Sequence, residues 1–483
     1  MRVNSLIIMS EKGKEIAVDW IDSNSDRLVE ISEAIWGYAE LGFVEFKSAK
    51  LLSDELEGHG FNVERGVAGI PTAFTATWGS GSPTIGIMGE YDALPGLSQK
   101  AVPRKEPIDE GAPGHGCGHN IHGTSGVGGA LAVRYAMERL RIPGTIRFYG
   151  CPAEEMLSGK VWMVREGVFD GVDAVLSHHP GSVNYASLSS SNANNAVKFH
   201  YYGKTSHAAG SPEQGRSALD AVELMNMGVN YLREHVIQDA RIHYVIEDGG
   251  GQPNVVPGYS RSWYLIRAPE RDQLEPIYNR ILKIAEGASL MTETRLKVEF
   301  VKGIYNKIPS RTLSDLVINN MREIGPPEYT DEEMRFAEEI AKSISPAAKR
   351  NSLRKSKRPN WEKLMDVVID RSVPDAWNEG EVSHGSTDVS DVSWNTPTME
   401  FGTATYVLGT PGHSWQNTAM SGMSIGHKSL IFASKVMATS AIDLMTKPAL
   451  LKAAKDELAR RLAGRSYRSP VSPEAKPPLD QWT

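Results

Sequence analysis

Short apolar segments that end in polar clusters place the strongest limits on how this chain can fold. The segment "PTIGIMGEYDALPG" contains a buried strand over 84–88, "GTIRFYGCPAEE" a second that ends at two carboxylates, and "GVDAVLSHHP" a third that ends at two histidines. Helices are predicted over about 26–60 and in "TSGVGGALAVRYAMERL". Strands that alternate with helices predict an α/β sheet covered by helices on both faces. Because ligands bind outside the carboxyl ends of such strands, we expect a functional site at the polar clusters.

The pattern of elements changes at about residue 195. From there the order is strand, helix, strand, strand, helix, strand, which is typical of a ferredoxin-like split unit. Further on, a polar insertion near 326–380 includes the basic run "KRNSLRKSKR", whose composition favours a solvated helical excursion. The expected domains are a catalytic domain in two parts, 1–194 and 309–464, an inserted domain over 195–308, and an extended proline-rich tail over 465–483.

Composition excludes several classes of protein. The 483 residues carry a net charge of -7, which gives no electrostatic reason to expect a nucleic-acid partner. No apolar run approaches the roughly 18 residues that span a bilayer, so no membrane partner is expected. The N-terminal apolar patch is too short for a signal-peptide core, and we therefore expect a cytoplasmic protein. Its two cysteines, Cys117 and Cys151, provide no disulfide framework for a chain of this length.

The segment "GHGCGHNIHG" and the other polar clusters carry the side chains that bind transition metals. Cys117 and His119 are two residues apart, and on an extended or turning backbone such residues point the same way. They could therefore share one metal centre. The adjacent carboxylates of Glu154 and Glu155 repel each other unless a cation compensates or one takes up a proton. Further candidate ligands are the histidines His178, His179 and His413.

These motifs resemble those of the aminoacylase/carboxypeptidase metallopeptidases, a family with a two-metal centre. Within that family the chain is most similar to the amino-acid amide hydrolases of the hippurate, indole-acetyl-amino-acid and p-aminobenzoyl-glutamate type. The resemblance runs from "GEYDALPG" through "GHGCGHN", "FYGCPAEE", "GRSALDAVELM" and "STDVSDVSW" to "GTPGHSWQ", nearly the whole chain. It implies a zinc-peptidase-like catalytic domain, with a central mostly parallel sheet flanked by helices. It also implies that the inserted ferredoxin-like α+β unit is a dimerisation or lid domain.

The resemblance also implies the metal ions and their ligands. Two divalent ions per subunit are expected, zinc or manganese, with cobalt as an alternative. Cys117 would bridge them as a thiolate, and Glu154 would be the general base. Of the neighbouring histidines we expect His179 to be the ligand, with His178 as the alternative. The implied metal ligands are Cys117, His119, Glu155, His179 and His413.

Further roles follow from the same resemblance. His207, in "GKTSHAAGSP", would stabilise the oxyanion, and in dimeric members this histidine reaches the partner's active site. Asn254 and Arg267 match positions that bind substrate, although a structural salt bridge is the alternative for Arg267. Asp92 would orient a metal ligand. No role is assigned to three residues near the expected site, His384, Asp388 and Asp391.

The combined prediction is a metal-dependent amidohydrolase that cleaves N-acyl or N-aroyl amino acids, with an acidic amino acid as the leaving group. A homodimer through the inserted domain is expected because the chain has its own complete set of candidate ligands, and a homologous partner subunit is the alternative. Two other functions stay open. One is a non-catalytic or partner-dependent subunit that binds such a ligand. The other is a metal-free cysteine hydrolase with Cys117 as nucleophile and His119 as base.

Overall fold

The computed structural model describes residues 2–156, 158–383 and 385–480. Its α-helices are α1 (Arg2–Ser23), α2 (Ser25–Tyr38), α3 (Phe46–Gly58), α4 (His119–Leu140), α5 (Gly159–Arg165), α6 (Ala218–Leu232), α7 (Arg271–Thr292), α8 (Arg311–Ile324), α9 (Asp331–Lys342), α10 (Pro346–Lys355), α11 (Val389–Ser393), α12 (Trp415–Ser421), α13 (Ser424–Thr446) and α14 (Pro448–Leu462). Its strands are β1 (Asn62–Arg65), β2 (Phe74–Ser80), β3 (Thr84–Glu90), β4 (Gly144–Cys151), β5 (Ala174–Gly181), β6 (Tyr185–Ala186), β7 (Ser190–Ser191), β8 (Ala193–Tyr202), β9 (Arg241–Asp248), β10 (Tyr259–Ala268), β11 (Arg295–Ile304), β12 (Val382–Ser383) and β13 (Thr398–Ala404).

A seven-stranded sheet with the order β1-β2-β4-β3-β5-β13-β6 forms the centre of the molecule. The four adjacent strands β4, β3, β5 and β13 are parallel, whereas β1, β2 and β6 pair antiparallel at the two sides. Parallel strands end at the same edge of a sheet, so the segments that follow β3, β4, β5 and β13 emerge close together. The predicted fold class, a mostly parallel sheet flanked by helices, is confirmed.

Helices bury both faces of this sheet, which explains why its central strands are continuously apolar. On β3, Ile85 and Ile87 pack into the core that α1, α4 and α13 form on one face. Met88 points into a second core on the other face, where it lies with Trp162 of α5 and Val392 of α11. The sheet is thus held between two apolar layers, and only its strand ends remain for polar chemistry.

The inserted segment forms a separate four-stranded antiparallel sheet with the order β11-β8-β10-β9. Helices α6 and α7 pack together against it, and the order of elements along the chain is the one expected. This unit has its own core, which includes Phe199, Val229, Tyr264 and Ile281. The exact domain limits and the role of the unit in dimerisation or as a lid stay predictions.

The helix expected over 26–60 is two helices, α2 and α3, and this part of the prediction was wrong. Ala39 adopts a left-handed conformation with φ 43°, which ends α2. The chain then crosses to a new helix whose first amides are bonded by the Glu40 carboxylate, at 2.9 Å from the nitrogens of Lys47 and Ser48. A side-chain acceptor at this position fixes the start of α3.

Part of the polar insertion packs against the catalytic domain. It is helical, as expected, with α9 and α10 as its helices. Ala337 and Ile340 of α9 are nevertheless buried against Tyr406 and Met420. The insertion is therefore more than a solvated excursion, because one of its faces belongs to the core.

In the described part of the chain, one helix is long and apolar enough to cross a membrane. This helix is α13, and 89% of its apolar window is buried inside the protein. It packs against α1, α4 and α8, so the structure explains its hydropathy as that of a core helix.

The tail after α14 lies across the connection between the two sheets. The Tyr467 hydroxyl donates to Asp391 Oδ1 at 2.8 Å, and its ring contacts Tyr305, which directly follows β11. Arg465 pairs with Glu270, just before α7, at 3.0 Å. The described tail has neither helix nor strand, and it links the inserted unit to the catalytic domain.

We expect Tyr467→Phe to lower the free energy of unfolding by about 1–3 kcal/mol, because it leaves the buried Asp391 carboxyl short of a hydrogen-bond donor. Urea unfolding would measure the change. Tyr135→Phe is the matched control. Among the described residues only the surface residue Arg139 bonds that hydroxyl, and its loss should cost under about 0.5 kcal/mol. Equal effects of the two substitutions would contradict a structural role for the tail contact.

Candidate metal centre

The candidate ligands come together at the carboxyl edge of the parallel strands. Cys117 is separated from α4 by Gly118 alone, and His119 is the first residue of that helix. Glu155 follows β4, His179 lies near the end of β5, and His413 lies in the loop between β13 and α12. Five side chains that are up to about 300 residues apart in sequence therefore meet at one edge of the sheet, as predicted.

Two groups of ligand atoms share the sulfur of Cys117. In one group, Cys117, His119 and His179 place their ligand atoms within 4.8 Å of one another, with Sγ 3.3 Å from His179 Nε2. In the other, Cys117 lies with Glu155 and His413, and Glu155 Oε2 is 3.4 Å from His413 Nε2. The sulfur is thus positioned to contact two ions at once.

Buried atoms without hydrogen-bond partners mark the same place. His119 Nε2 and Glu155 Oε1 are buried, lie 4.0 Å apart and have no hydrogen-bond partner among the described residues. A buried polar atom normally has a partner, and a divalent cation between these two atoms would satisfy both. Thiolate, imidazole and carboxylate together suit zinc and its first-row neighbours. The side chains therefore fit a pair of divalent ions.

Asp92 orients two of these ligands. Its Oδ1 atom accepts from His119 Nδ1 at 2.8 Å, and its Oδ2 atom accepts from the Glu155 backbone nitrogen at 2.9 Å. Because Nδ1 donates to Asp92, Nε2 is the ring nitrogen of His119 that faces the ligand atoms of Cys117 and His179. This is the arrangement expected of a carboxylate that orients a metal ligand.

The structure distinguishes the two neighbouring histidines. His178 is fully buried, and both its ring nitrogens have partners, Ser125 Oγ at 3.0 Å and Thr403 Oγ1 at 2.7 Å. His179 instead turns Nε2 to Cys117, while its Nδ1 bonds the carbonyl of Pro180 at 2.9 Å. Of the two, His179 offers a ring nitrogen to the ligand cluster.

Acidic side chains with raised pKa values surround the cluster. Burial, with the nearby carboxylate of Glu155, raises the pKa of the Cys117 thiol far above its usual value. Burial also raises the pKa of Glu155 to about 7. Burial, followed by the charges of Glu90 and Glu155, raises the pKa of Glu154 well above its ordinary value. A bound cation would reverse these shifts, because it favours the ionised form of each group.

A buried ion network that the sequence analysis missed lies beneath the cluster. Lys160 is fully buried, forms an ion pair with Glu90 Oε1 at 2.6 Å and donates to Asp388 Oδ1 at 2.5 Å. The other oxygen of Glu90 lies 3.3 Å from Nε2 of both His119 and His122. The only signal in the sequence is a lysine in the apolar helix segment "GKVWMVR". Lys160 supplies positive charge where several carboxylates are buried.

The residues predicted to stabilise the oxyanion or to bind substrate belong to the inserted unit and are not part of the ligand cluster. His207 and Asn254 are neighbours on exposed loops of the inserted unit, where the carbonyl of Asn254 accepts from the amide of Ala208 at 3.0 Å. Arg267 is partly buried on β10, where burial lowers its pKa. None of the three lines the cavity beside the ligand cluster, among the residues described for that cavity. His384 is outside the described residues, and Asp391 is bonded to the tail and to Tyr305.

A cavity of about 550 Å³ opens beside the cluster, with Cys117, His179 and His413 in its wall. It continues past Tyr185 and the serines of 187–191 to the polar insertion. A larger cavity of about 1180 Å³ lies between the tail and β2, but the described residues that line it include none of the candidate ligands. The smaller cavity is therefore the candidate substrate pocket.

Residues 86–438, more than half of the chain, match the family model of peptidase family M20/M25/M40. The chain belongs to this peptidase family. It is 40% identical over 472 residues to one of the subunits of the p-aminobenzoyl-glutamate hydrolase of Escherichia coli, an alignment that covers 95% of this chain and 97% of that protein. It is 29% identical to the Xaa-Arg dipeptidase of Mus musculus over 93% of both chains.

A solved structure shows the same fold. The Bacillus subtilis YxeP protein, described as a dinuclear metal-binding peptidase, superposes with a TM-score of 0.57 at 17% identity, over 88% of this chain and 99% of that one. The resemblance found in the sequence is thus confirmed. The chain is a hydrolase of this family, and the predicted class, a metal-dependent amidohydrolase, is confirmed with it.

We expect Lys160→Met to lower the free energy of unfolding by about 3–5 kcal/mol, because it leaves Glu90 and Asp388 buried without their cation. Chemical denaturation would measure the loss. The control is Lys363→Met, at an exposed lysine of the insertion, which should change stability by under about 0.5 kcal/mol. A loss of less than about 1 kcal/mol for Lys160→Met would contradict the role of this residue as a buried counter-charge.

Proposed function

We propose that the chain hydrolyses the amide bond of N-acyl or N-aroyl amino acids, with an acidic amino acid as the leaving group. The observation that carries this proposal is the pair of ligand groups that share Cys117 Sγ, with Glu154 beside them. Family membership supports the reaction class. The name of the E. coli relative, a p-aminobenzoyl-glutamate hydrolase, supports an aromatic acyl group and an acidic leaving group.

The proposed ligands are divided between two ions. His119 and His179 would hold one ion, Glu155 and His413 the other, and Cys117 would contact both. When bound, such a pair of ions polarises the amide carbonyl and lowers the pKa of a water molecule towards neutrality. The mixed sulfur, nitrogen and oxygen donors support zinc or manganese, with cobalt as an alternative.

Glu154 is the proposed general base. Its Oε2 atom lies 4.0 Å from His119 Nε2, so its carboxylate adjoins the cluster without belonging to either group that contains Cys117. Burial and neighbouring carboxylates raise its pKa in the absence of a cation. Bound cations would favour the ionised carboxylate, which is the form that can accept a proton. It takes a proton from the attacking water and passes it to the leaving nitrogen.

A second chain is proposed to complete the site. His207 and Asn254 are exposed on the inserted unit, away from the cavity of their own chain. This position supports a dimer in which each chain offers these residues to its partner. The complete ligand set favours a homodimer, whereas the naming of the E. coli relative as one subunit of its enzyme supports a homologous partner chain.

The geometry argues against the metal-free cysteine hydrolase. A nucleophilic cysteine needs a stabilised thiolate. Burial and the carboxylate of Glu155 instead raise the pKa of the Cys117 thiol. Glu155, His179 and His413 also surround the Cys117 sulfur, and a cysteine hydrolase has no need of these further ligand groups. A cation would be needed to hold the thiolate.

We expect Glu154→Gln to lower kcat by at least about 100-fold while the protein retains its metal, because the substitution removes the proton acceptor but no proposed ligand. Steady-state rates on 4-aminobenzoyl-glutamate and metal analysis of the same sample would test this. Glu223→Gln, on the exposed side of α6, is the control and should retain full activity. A Glu154→Gln variant with normal kcat would refute the assigned base.

Replacement of single ligands should change the metal content in distinct ways. We expect about two ions per wild-type chain, about one in His413→Ala, and weakened binding of both ions in Cys117→Ala, because only Cys117 belongs to both groups. Elemental analysis after equilibrium dialysis would measure the content. His235→Ala, outside the cluster, should still hold two ions. Equal losses in His413→Ala and Cys117→Ala would contradict the shared sulfur.

A further inference from the structure

The polar insertion is fixed to the wall of the substrate pocket. Asn378, near its end, accepts from the amide of Leu188 and donates to Ser187 Oγ, both at 2.9 Å. The next residue, Glu379, pairs with Arg461 at 2.7 Å and also with Arg311. These contacts hold the returning limb of the insertion against the serine-rich segment that follows β5.

Trp377 forms an aromatic part of that wall. It lines the same cavity as Cys117 and His179. Its Nε1 atom donates to the carbonyl of Ser356 at 2.9 Å, and the guanidinium of Arg358 lies 5.7 Å from the centre of its ring. Arg358 is itself paired with Asp370. The indole is thus held in place by other residues of the insertion and presents a fixed aromatic surface.

Lys307 is the only lysine or arginine among the described residues that line this cavity. Its backbone is fixed on both sides, because its amide donates to Ser191 Oγ at 3.2 Å and its carbonyl accepts from Ser190 Oγ at 2.7 Å. No carboxylate of the described residues lies within ion-pair distance of its amine. Lys307 therefore brings a positive charge to the part of the pocket next to the connection between the two sheets.

The negative charge in the cavity wall lies elsewhere. Glu400 is on β13, and its carboxylate is within 4.8 Å of the ligand atoms of Glu90 and His122. A carboxylate on a substrate would be repelled there and attracted to Lys307. The charges of Lys307 and Glu400 therefore favour one orientation of an acidic substrate in the pocket.

We propose that Lys307 binds a substrate carboxylate and that Trp377 packs against the acyl group, so that together they select aroyl amino acids with an acidic side chain. This inference rests on the proposed function and deepens it. A lysine amine attracts a carboxylate as a point charge, and a flat aromatic group gains contact area against an indole. Neither residue is among those that the family resemblance assigned.

The test compares 4-aminobenzoyl amides of glutamate, glutamine and arginine on the full-length, metal-loaded enzyme. We expect wild type to prefer glutamate over glutamine by at least about tenfold in kcat/KM. Lys307→Met should lower this ratio by about tenfold or more, chiefly by raising the KM of the glutamate amide. Lys307→Arg, which keeps the positive charge, should retain part of the wild-type preference. Lys363→Met is the charge-matched control and should keep the wild-type ratio. Trp377→Leu should lower the preference for 4-aminobenzoyl-glutamate over acetyl-glutamate.

The outcomes separate the two levels of the proposal. If wild type cleaves the amides but Lys307→Met leaves the glutamate-to-glutamine ratio within about twofold, the subsite is refuted and the amidohydrolase stands. A wild-type preference for the arginine amide would also refute it. If wild type cleaves none of them, calorimetry would measure the binding of the glutamate and glutamine amides. A binding preference for the glutamate amide that Lys307→Met abolishes supports the subsite. Equal or absent binding of the two amides refutes both the subsite and the proposed hydrolase activity.

Discussion

The position of the Cys117 sulfur between two sets of ligands is the constraint on which the rest of the site depends. Gly118 makes this position attainable, because it has φ 78° and a Cβ there would lie 2.2 Å from the Tyr406 hydroxyl. The turn at Gly118 ends the loop and starts α4 at His119, so that Cys117 and His119 face the same cluster. The other ligands reach it because parallel strands end at one edge of the sheet.

The buried charges below the cluster tie the two halves of the catalytic domain together. Lys160 follows β4, whereas its partner Asp388 lies 228 residues later, beyond the inserted unit. Glu90 connects this pair to His119, and Asp92 connects His119 to Glu155. A rigid set of charge-assisted contacts therefore holds the ligands in place from behind, as preorganised metal sites require.

Much of the fold and of the site was predictable from the sequence, because both depend on local patterns. Strands with apolar faces that end at "GCPAEE" and "SHHP" predicted where the ligands would meet. Side chains that pair over long distances were not predictable: nothing in "GKVWMVR" reveals that Lys160 meets Asp388. The burial of His178, which distinguishes it from His179, depends on tertiary packing and is not visible in the sequence. The start of α3 depends on the Glu40 side chain, which reaches its first amides, and the division into α2 and α3 was missed for the same reason.

The most direct test of the central claim is a crystal structure of the metal-loaded protein with anomalous diffraction at the absorption edge of the metal. We expect two anomalous peaks per chain, each about 2.3 Å from Cys117 Sγ. His119 and His179 should approach one peak, and Glu155 and His413 the other. A single peak, or two peaks that are both too far from Cys117 Sγ to be coordinated by it, would contradict the shared position of this sulfur.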